Sequence, residues 1–214
     1  EYRDLRYDDG GSPADHYRAW SEYTEVYCLE RARKGLFVEM HNAGYNGVLL
    51  KGLYNCHDFG EERLRRRVGQ LIDLYWATWA QEQIDGVEGG GRSRIYQGAR
   101  SLSDHGDQRL IWLHLAKGNP GPLPTSMLSA AFSEYRLPLV VMDIAMDIEG
   151  RGIYEIHQRP LGLSIPGHKG NLPYRAQTEN GGIHRYSYCT PEFIIGTPMV
   201  EAREREDWMA ISSQ

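Results

Sequence analysis

Long apolar runs, cysteine and phenylalanine are all scarce in this chain, and each scarcity excludes something. No stretch of about 18 apolar residues occurs, so no membrane-spanning helix is expected. Cys28, Cys56 and Cys189 are scattered and form no Cys-x-x-Cys pair, which is too little for a disulfide framework or a zinc site. Their odd number leaves at least one free thiol in a monomer. Basic excess is also lacking: 24 Lys and Arg against 29 Asp and Glu give a net charge of −5, which argues against a nucleic-acid partner. A local basic pocket is not excluded. The chain begins at Glu1 with neither an initiator Met nor a signal peptide, and Ile211–Gln214 carries no helix stop. The expectation is a piece of a larger protein.

What is present is ordinary in bulk and uneven in kind. The 214 residues are 41% hydrophobic and 25% charged, enough for a globular fold with a sizeable core. The aromatics are 14 Tyr and 5 Trp against only 4 Phe, rings with polar tips that suit wet interfaces and sugar faces as well as cores.

The stretch from Gly35 to Tyr96 organises the chain. Before it, Ser12-Pro13 marks a helix start, and Tyr17, Trp20, Tyr23 and Tyr27 recur at helical spacing over 15–34. Arg31, Arg33 and Lys34 complement the dipole of the last turn, and Gly35 ends the helix. A polar loop, His41 to Asn46, follows. Val48, Leu49, Leu50, Leu53 and Tyr54 predict a buried helix over 47–57, broken at Asp58-Phe59-Gly60. Leu64, Val68, Leu71, Ile72, Tyr75 and Trp79 then give a clear apolar face over 61–83, with Arg63, Arg65, Arg66 and Arg67 read as a solvated basic surface. A second polar loop runs through Gly89-Gly90-Gly91-Arg92-Ser93-Arg94. Helices are expected over 104–115 and 127–135, while 139–146 stays unassigned.

From Gly150 the texture changes. Ile153 to Arg159 alternates with period two and reads as a strand; 186–189 and 193–195 read as short extended segments around Thr190-Pro191. The expected fold class is mainly α, with helical hairpins in 1–149 and a loop-rich 150–214 carrying short β-strands. Successive helical hairpins with polar loops between them are the pattern of a helical toroid.

Glu30-Arg31-Ala32-Arg33-Lys34-Gly35-Leu36-Phe37-Val38-Glu39, the Tyr45 loop, the Asp58-Phe59 break and Gly90-Gly91-Arg92-Ser93-Arg94 together resemble known proteins. So does the tail from Tyr188-Cys189-Thr190-Pro191 to Thr197, followed by Asp207-Trp208. The resemblance is to the α/α toroid of bacterial carbohydrate-active proteins, the six-hairpin glycosidases and toroid-type polysaccharide lyases. It implies a partial toroid, with 150–214 as the start of a β-sandwich or a toroid-capping region. It also implies a polysaccharide or oligosaccharide substrate, no cofactor, and a secreted or periplasmic location.

A lyase on a uronic-acid polymer needs a group that neutralises the sugar carboxylate, a base for the C5 proton and an acid for the leaving oxygen. In toroid lyases these roles fall to Asn or Arg, His and Tyr. Here His41, Asn42 and Tyr45 share one loop, and Arg92, Arg94 and Tyr96 share another. The glycines before Arg92 free the backbone to approach a ligand, and paired Arg offer forked donors for a carboxylate; a flexible connector with exposed Arg fits equally well. From the strand side, His157, His184, Tyr186 and Tyr188 are candidates to close the cleft. A hydrolase would instead use Glu39, which follows an apolar run, with a second carboxyl roughly 5 to 9.5 Å away. Asp58 and Glu179 are the partners considered, although Asp58 reads equally well as a helix-terminal residue. Glu39, His41 and His57 lack any recognised metal-ligand spacing, so no metal is expected. A non-catalytic scaffold presenting Arg and Tyr loops to a glycan or a protein is the third reading.

Overall fold

The computed structural model describes residues 2, 4–33, 35–37, 43–91, 106–117, 121, 127–158 and 183–200. These residues are mostly helical, with a small antiparallel sheet late in the chain. Helix α1 (Pro13–Arg33) opens on a reciprocal cap. Ser12 Oγ accepts from the Asp15 N–H at 3.2 Å, and the Asp15 carboxylate accepts from the Ser12 N–H at 3.0 Å. It closes where Gly35 turns left-handed (φ 77°) and the Leu36 N–H reaches back to the Arg31 carbonyl at 2.7 Å, a Schellman-type stop.

Helices α2 (Ala43–Phe59) and α3 (Glu62–Gln81) form the hairpin that the sequence predicts, divided at Gly60. The whole apolar stripe of α3, from Leu64 to Trp79, is buried, and so is Trp76. Helix α3 therefore has company on several sides: it packs against α1, α2 and α6. Trp76 and Trp79 anchor this core, where truncating one such side chain costs about 3–5 kcal/mol.

Two local departures from the expected elements have clear causes. The helix expected over 127–135 shrinks to a single turn, α5 (Leu128–Ala131). Beyond it, the Glu134 N–H donates to Asp58 Oδ1 at 3.2 Å and the Tyr135 N–H to Ser133 Oγ at 3.0 Å, so side chains take the donors a helix would use. The unassigned 139–146 is a helix, α6 (Leu139–Met146), started by Pro138, whose carbonyl accepts from the Val141 N–H at 2.9 Å. Helix α4 (Gly106–Leu115) lies on α2, and one turn, α7 (Ile148–Arg151), leads to the sheet.

A hairpin follows α3: β1 (Gln83–Ile84) pairs with β2 (Val87–Glu88). Asp85 and Gly86 both take positive φ, 50° and 84°, as a tight two-residue turn requires. The later sheet runs β3 (Tyr154–Gln158), β4 (Ile183–Cys189), β5 (Ile194–Val200), all antiparallel, with Tyr154 opposite Cys189 and Tyr188 opposite Ile195. Arg151 joins the two parts by donating to the carbonyls of Ala80 at 2.5 Å and Gln83 at 2.8 Å. Among the described residues no helix is long and apolar enough to cross a membrane.

Candidate functional site

A group of ionisable side chains lies where the end of α2, the outer face of α3 and the 133–136 segment meet. Asp58 is its hub. One oxygen, Oδ1, accepts from His57 Nδ1–H at 2.8 Å, from the Ser133 hydroxyl at 2.9 Å and from the Glu134 N–H. With Nδ1 turned to Asp58, Nε2 is the ring nitrogen left for another partner. The ring covers Gly69 of α3, where an added Cβ would sit 3.4 Å from His57 Cδ2. That is ordinary van der Waals contact, so an alanine would fit beneath the ring.

Tyr135 stands edge-on to His57, with ring centroids 5.6 Å apart at 87°. Its hydroxyl donates to Asp73 Oδ1 at 2.7 Å. Burial raises the pKa of both partners: Asp73 titrates above the usual carboxylate range, and the Tyr135 phenol stays protonated well above its ordinary value. This side of the segment is therefore a phenol held in its acid form beside an imidazole poised to accept.

Behind Tyr135 lies a second chain of bonds. Trp76 Nε1–H donates to the Tyr54 oxygen at 3.0 Å, and that oxygen hydrogen-bonds His114 Nε2, 2.7 Å away. His114 is a neutral imidazole. Burial, with a smaller contribution from the Arg136 charge, holds its pKa down to about 4.

Two cavities flank this partition, with Tyr135 and Arg136 in the wall of both. The first, of about 340 Å³, is lined by His57, Arg65, Arg66, Asp73 and Glu134 among others. Arg65 is spent on Glu134, at 2.7 Å, whereas among the described residues no carboxylate pairs with Arg66. The second, of about 320 Å³, is lined by His114 and by the apolar Leu113, Ala130, Ala131, Leu137 and Met142. Both volumes sit at the small end of the ~300–1,000 Å³ typical of ligand sites, large enough for one ring each.

A separate buried polar group lies at the junction with the sheet. Arg185 Nη2 donates to both oxygens of Glu82, Arg185 Nε to the Gly91 carbonyl at 2.6 Å, and Nη1 to Gln158. Ser187 Oγ donates to Glu82 Oε1 at 2.5 Å and accepts from the Gly91 N–H at 3.1 Å. The glycine run is consumed by this contact. A Cβ on Gly91 would lie 2.7 Å from the Thr197 carbonyl oxygen, and one on Gly196 2.2 Å from the Gly91 nitrogen. The glycines let the backbone at 89–91 lie against β5.

Of the residues singled out from sequence, Glu39, His41, Asn42, Arg92, Arg94, Tyr96 and Glu179 lie outside the described residues. Tyr45, expected in a polar loop over 41–46, is instead in the first turn of α2, which starts at Ala43, and His184 is on β4 opposite Met199; only their backbone positions are described. Tyr188 is half-buried on β4 and packs on Phe193, with centroids 6.2 Å apart. His157 is exposed on β3, beside Glu155 at 3.2 Å and against the Tyr186 ring. Neither Tyr188 nor His157 lines either cavity. Asp58 is helix-terminal, as one reading had it, and also the hub of the network. Among the described residues no cluster of three metal-ligating side chains occurs.

Sequence reasoning passed over Asp73, His114, Tyr135 and Arg136. Their signals were faint: a glycine inside the α3 stripe, a lone histidine in the apolar run of α4, and a polar Ser-Glu-Tyr-Arg segment mistaken for helix. No protein-family model matches the chain, and no curated protein or solved structure is significantly similar to it.

Proposed function

We propose that this chain is the glycan-handling part of a carbohydrate-active protein, that its helical hairpins belong to a partial α/α toroid, and that it acts as a polysaccharide lyase on a uronic-acid linkage. The observation that carries the reading is the convergence of three groups on the first cavity: His57 oriented by Asp58, Tyr135 kept protonated, and Arg66 without a carboxylate partner among the described residues. These are the chemical types that β-elimination needs. A guanidinium beside the sugar carboxylate stabilises the charge that develops as C5 loses its proton. His57 Nε2 takes that proton, and Tyr135, whose hydroxyl rests on Asp73, turns to give its proton to the leaving oxygen. The electron pair from the C–H bond forms the C4–C5 double bond while the C4–O bond breaks.

Hydrolysis is the second reading, and one observation favours it: Asp73 binds its proton more tightly than an ordinary carboxyl, as a general acid does. Incubating the protein with a panel of uronate polymers separates the two. The lyase reading expects new ultraviolet absorbance from the unsaturated product. New reducing ends without that absorbance mean hydrolysis, and neither signal on any polymer leaves the scaffold reading in place of both.

A further inference from the structure

Helix α1 carries an aromatic stripe that finds little core. Of its 21 residues only Cys28 is buried, and Trp20 and Tyr23, two of the rings whose spacing marks the helix, are 66% and 61% exposed. The rings are ordered among themselves. Trp20 meets Tyr23 edge-on at 5.7 Å, Tyr23 stacks on Tyr27 at 6.4 Å, and the Arg31 guanidinium lies 5.2 Å from the Tyr27 centroid. Residues three and four apart are neighbours on a helix, so these four side chains form one ladder. His16 continues it toward the N-terminus, hydrogen-bonded to Asp9 at 3.2 Å and edge-on to the Tyr7 ring at 4.7 Å. The ladder thus has a carboxylate at one end and a guanidinium at the other. Asp9 accepts from the Gly11 N–H at 2.9 Å and keeps lone pairs for a further donor. Arg31 Nε is buried without a hydrogen-bond partner, and among the described residues no carboxylate pairs with the guanidinium; neighbouring Glu30 pairs with Arg33 at 3.5 Å.

Tyr23 lies midway between His16 and Arg31, so the face complements itself when turned end for end. We infer that it docks on the same face of a second copy of this chain, the two α1 helices running antiparallel about a two-fold axis near Tyr23. In that register Arg31 of each copy reaches Asp9 of the other, and Tyr27 of each reaches Trp20 of the other. The unpaired guanidinium gains a carboxylate at both ends of the contact, the rings leave water, and the opposed helix dipoles attract. A two-fold contact uses the same patch on both copies, so assembly closes at a dimer. The patch is one helix face, small for a specific interface, and a dissociation constant on the order of 10 μM is expected. No α1 residue lines either cavity, so the dimer forms whatever the cavities bind.

Sedimentation equilibrium of the whole chain between roughly 1 and 300 μM tests it, and the average mass should climb from one chain toward two. Replacing both exposed rings, Trp20→Ser with Tyr23→Ser, should weaken the dimer at least about ten-fold, with folding checked by thermal unfolding. Asp9→Arg and Arg31→Glu should each weaken it roughly ten-fold, and the two together, which exchange the charges at the ends of the ladder, should recover most of the affinity. A single-chain mass throughout overturns the inference and leaves the face to a different partner. A dimer untouched in the folded ring variant overturns it by placing the contact elsewhere. Mass rising beyond two chains, or a folded charge-exchanged variant that stays as weak as its parents, overturns the antiparallel two-fold pairing.

Discussion

Glu82, at the end of α3, and Arg185, on β4, meet as a fully sequestered ion pair in which guanidinium Nη2 lies 3.0 and 2.8 Å from the two carboxylate oxygens. The side chains are 0% and 1% exposed, so each depends on the other for its charge to be tolerated. The pair, with Ser187 and Gly91, fastens the helical part to the sheet.

Removing one partner should therefore cost far more than replacing both. Arg185→Met alone leaves the Glu82 carboxylate buried without its guanidinium and is expected to lower stability by about 3–5 kcal/mol. Adding Glu82→Leu should restore part of that loss. Urea unfolding of the two single variants and the double variant reads the coupling; additive costs would mean the two side chains act independently.

The contact between the glycine run and β5 predicts a second asymmetry. Gly196→Ala puts a methyl against backbone that has little room to yield, and about 1–3 kcal/mol or more should be lost. Gly10→Ala meets nothing within 4 Å and faces only its positive φ of 82°, for roughly 1 kcal/mol. Thermal unfolding of both should rank them in that order.

Much of the helical part is legible in the sequence because one cause dominates it. The spacing of Leu64, Val68, Leu71, Ile72, Tyr75 and Trp79 fixes both the helix and its buried face, and Ser12 and Gly35 mark the limits of α1 by local chemistry alone. The single turn α5 is not legible in this way. Its stop depends on Asp58, which lies about 75 residues earlier and takes the Glu134 N–H. The same holds for the site: His57, Asp73, His114 and Tyr135 are ordinary residues one at a time, and only the packing of α2, α3 and α4 brings them together. The triple glycine invited a ligand-facing reading because the sequence cannot show that β5 occupies the space it frees.

His114 predicts a pH dependence of stability whose sign is fixed by burial. Its folded pKa, about 4, lies below the ordinary value of 6.5, so between these limits the unfolded chain binds the extra proton. This contribution is complete above pH 6.5 and is lost as the pH falls toward 4, up to ~3 kcal/mol before allowing for the ring's partial exposure to its cavity. Carboxylates titrate over part of the same range, so the informative quantity is a difference. Stability measured from pH 7.5 to 4 for the protein and for His114→Gln should converge as the pH drops; parallel curves would contradict the neutral, buried imidazole.

Tyr54→Phe tests the bond chain behind the site. It leaves Trp76 Nε1–H and His114 Nε2 without their shared partner, and a loss of about 1–3 kcal/mol is expected in equilibrium unfolding. Unchanged stability would mean that the hydroxyl bridges nothing of consequence.

The central claim is that His57 and Tyr135 work as base and acid on one substrate. On whichever uronate polymer the protein cleaves, initial rates for His57→Ala and Tyr135→Phe are the direct measurement, with folding of each variant checked by thermal unfolding. The account predicts a fall of about 10²–10⁴-fold in kcat for each. Full activity in folded His57→Ala would contradict it and move the chemistry to another part of the chain.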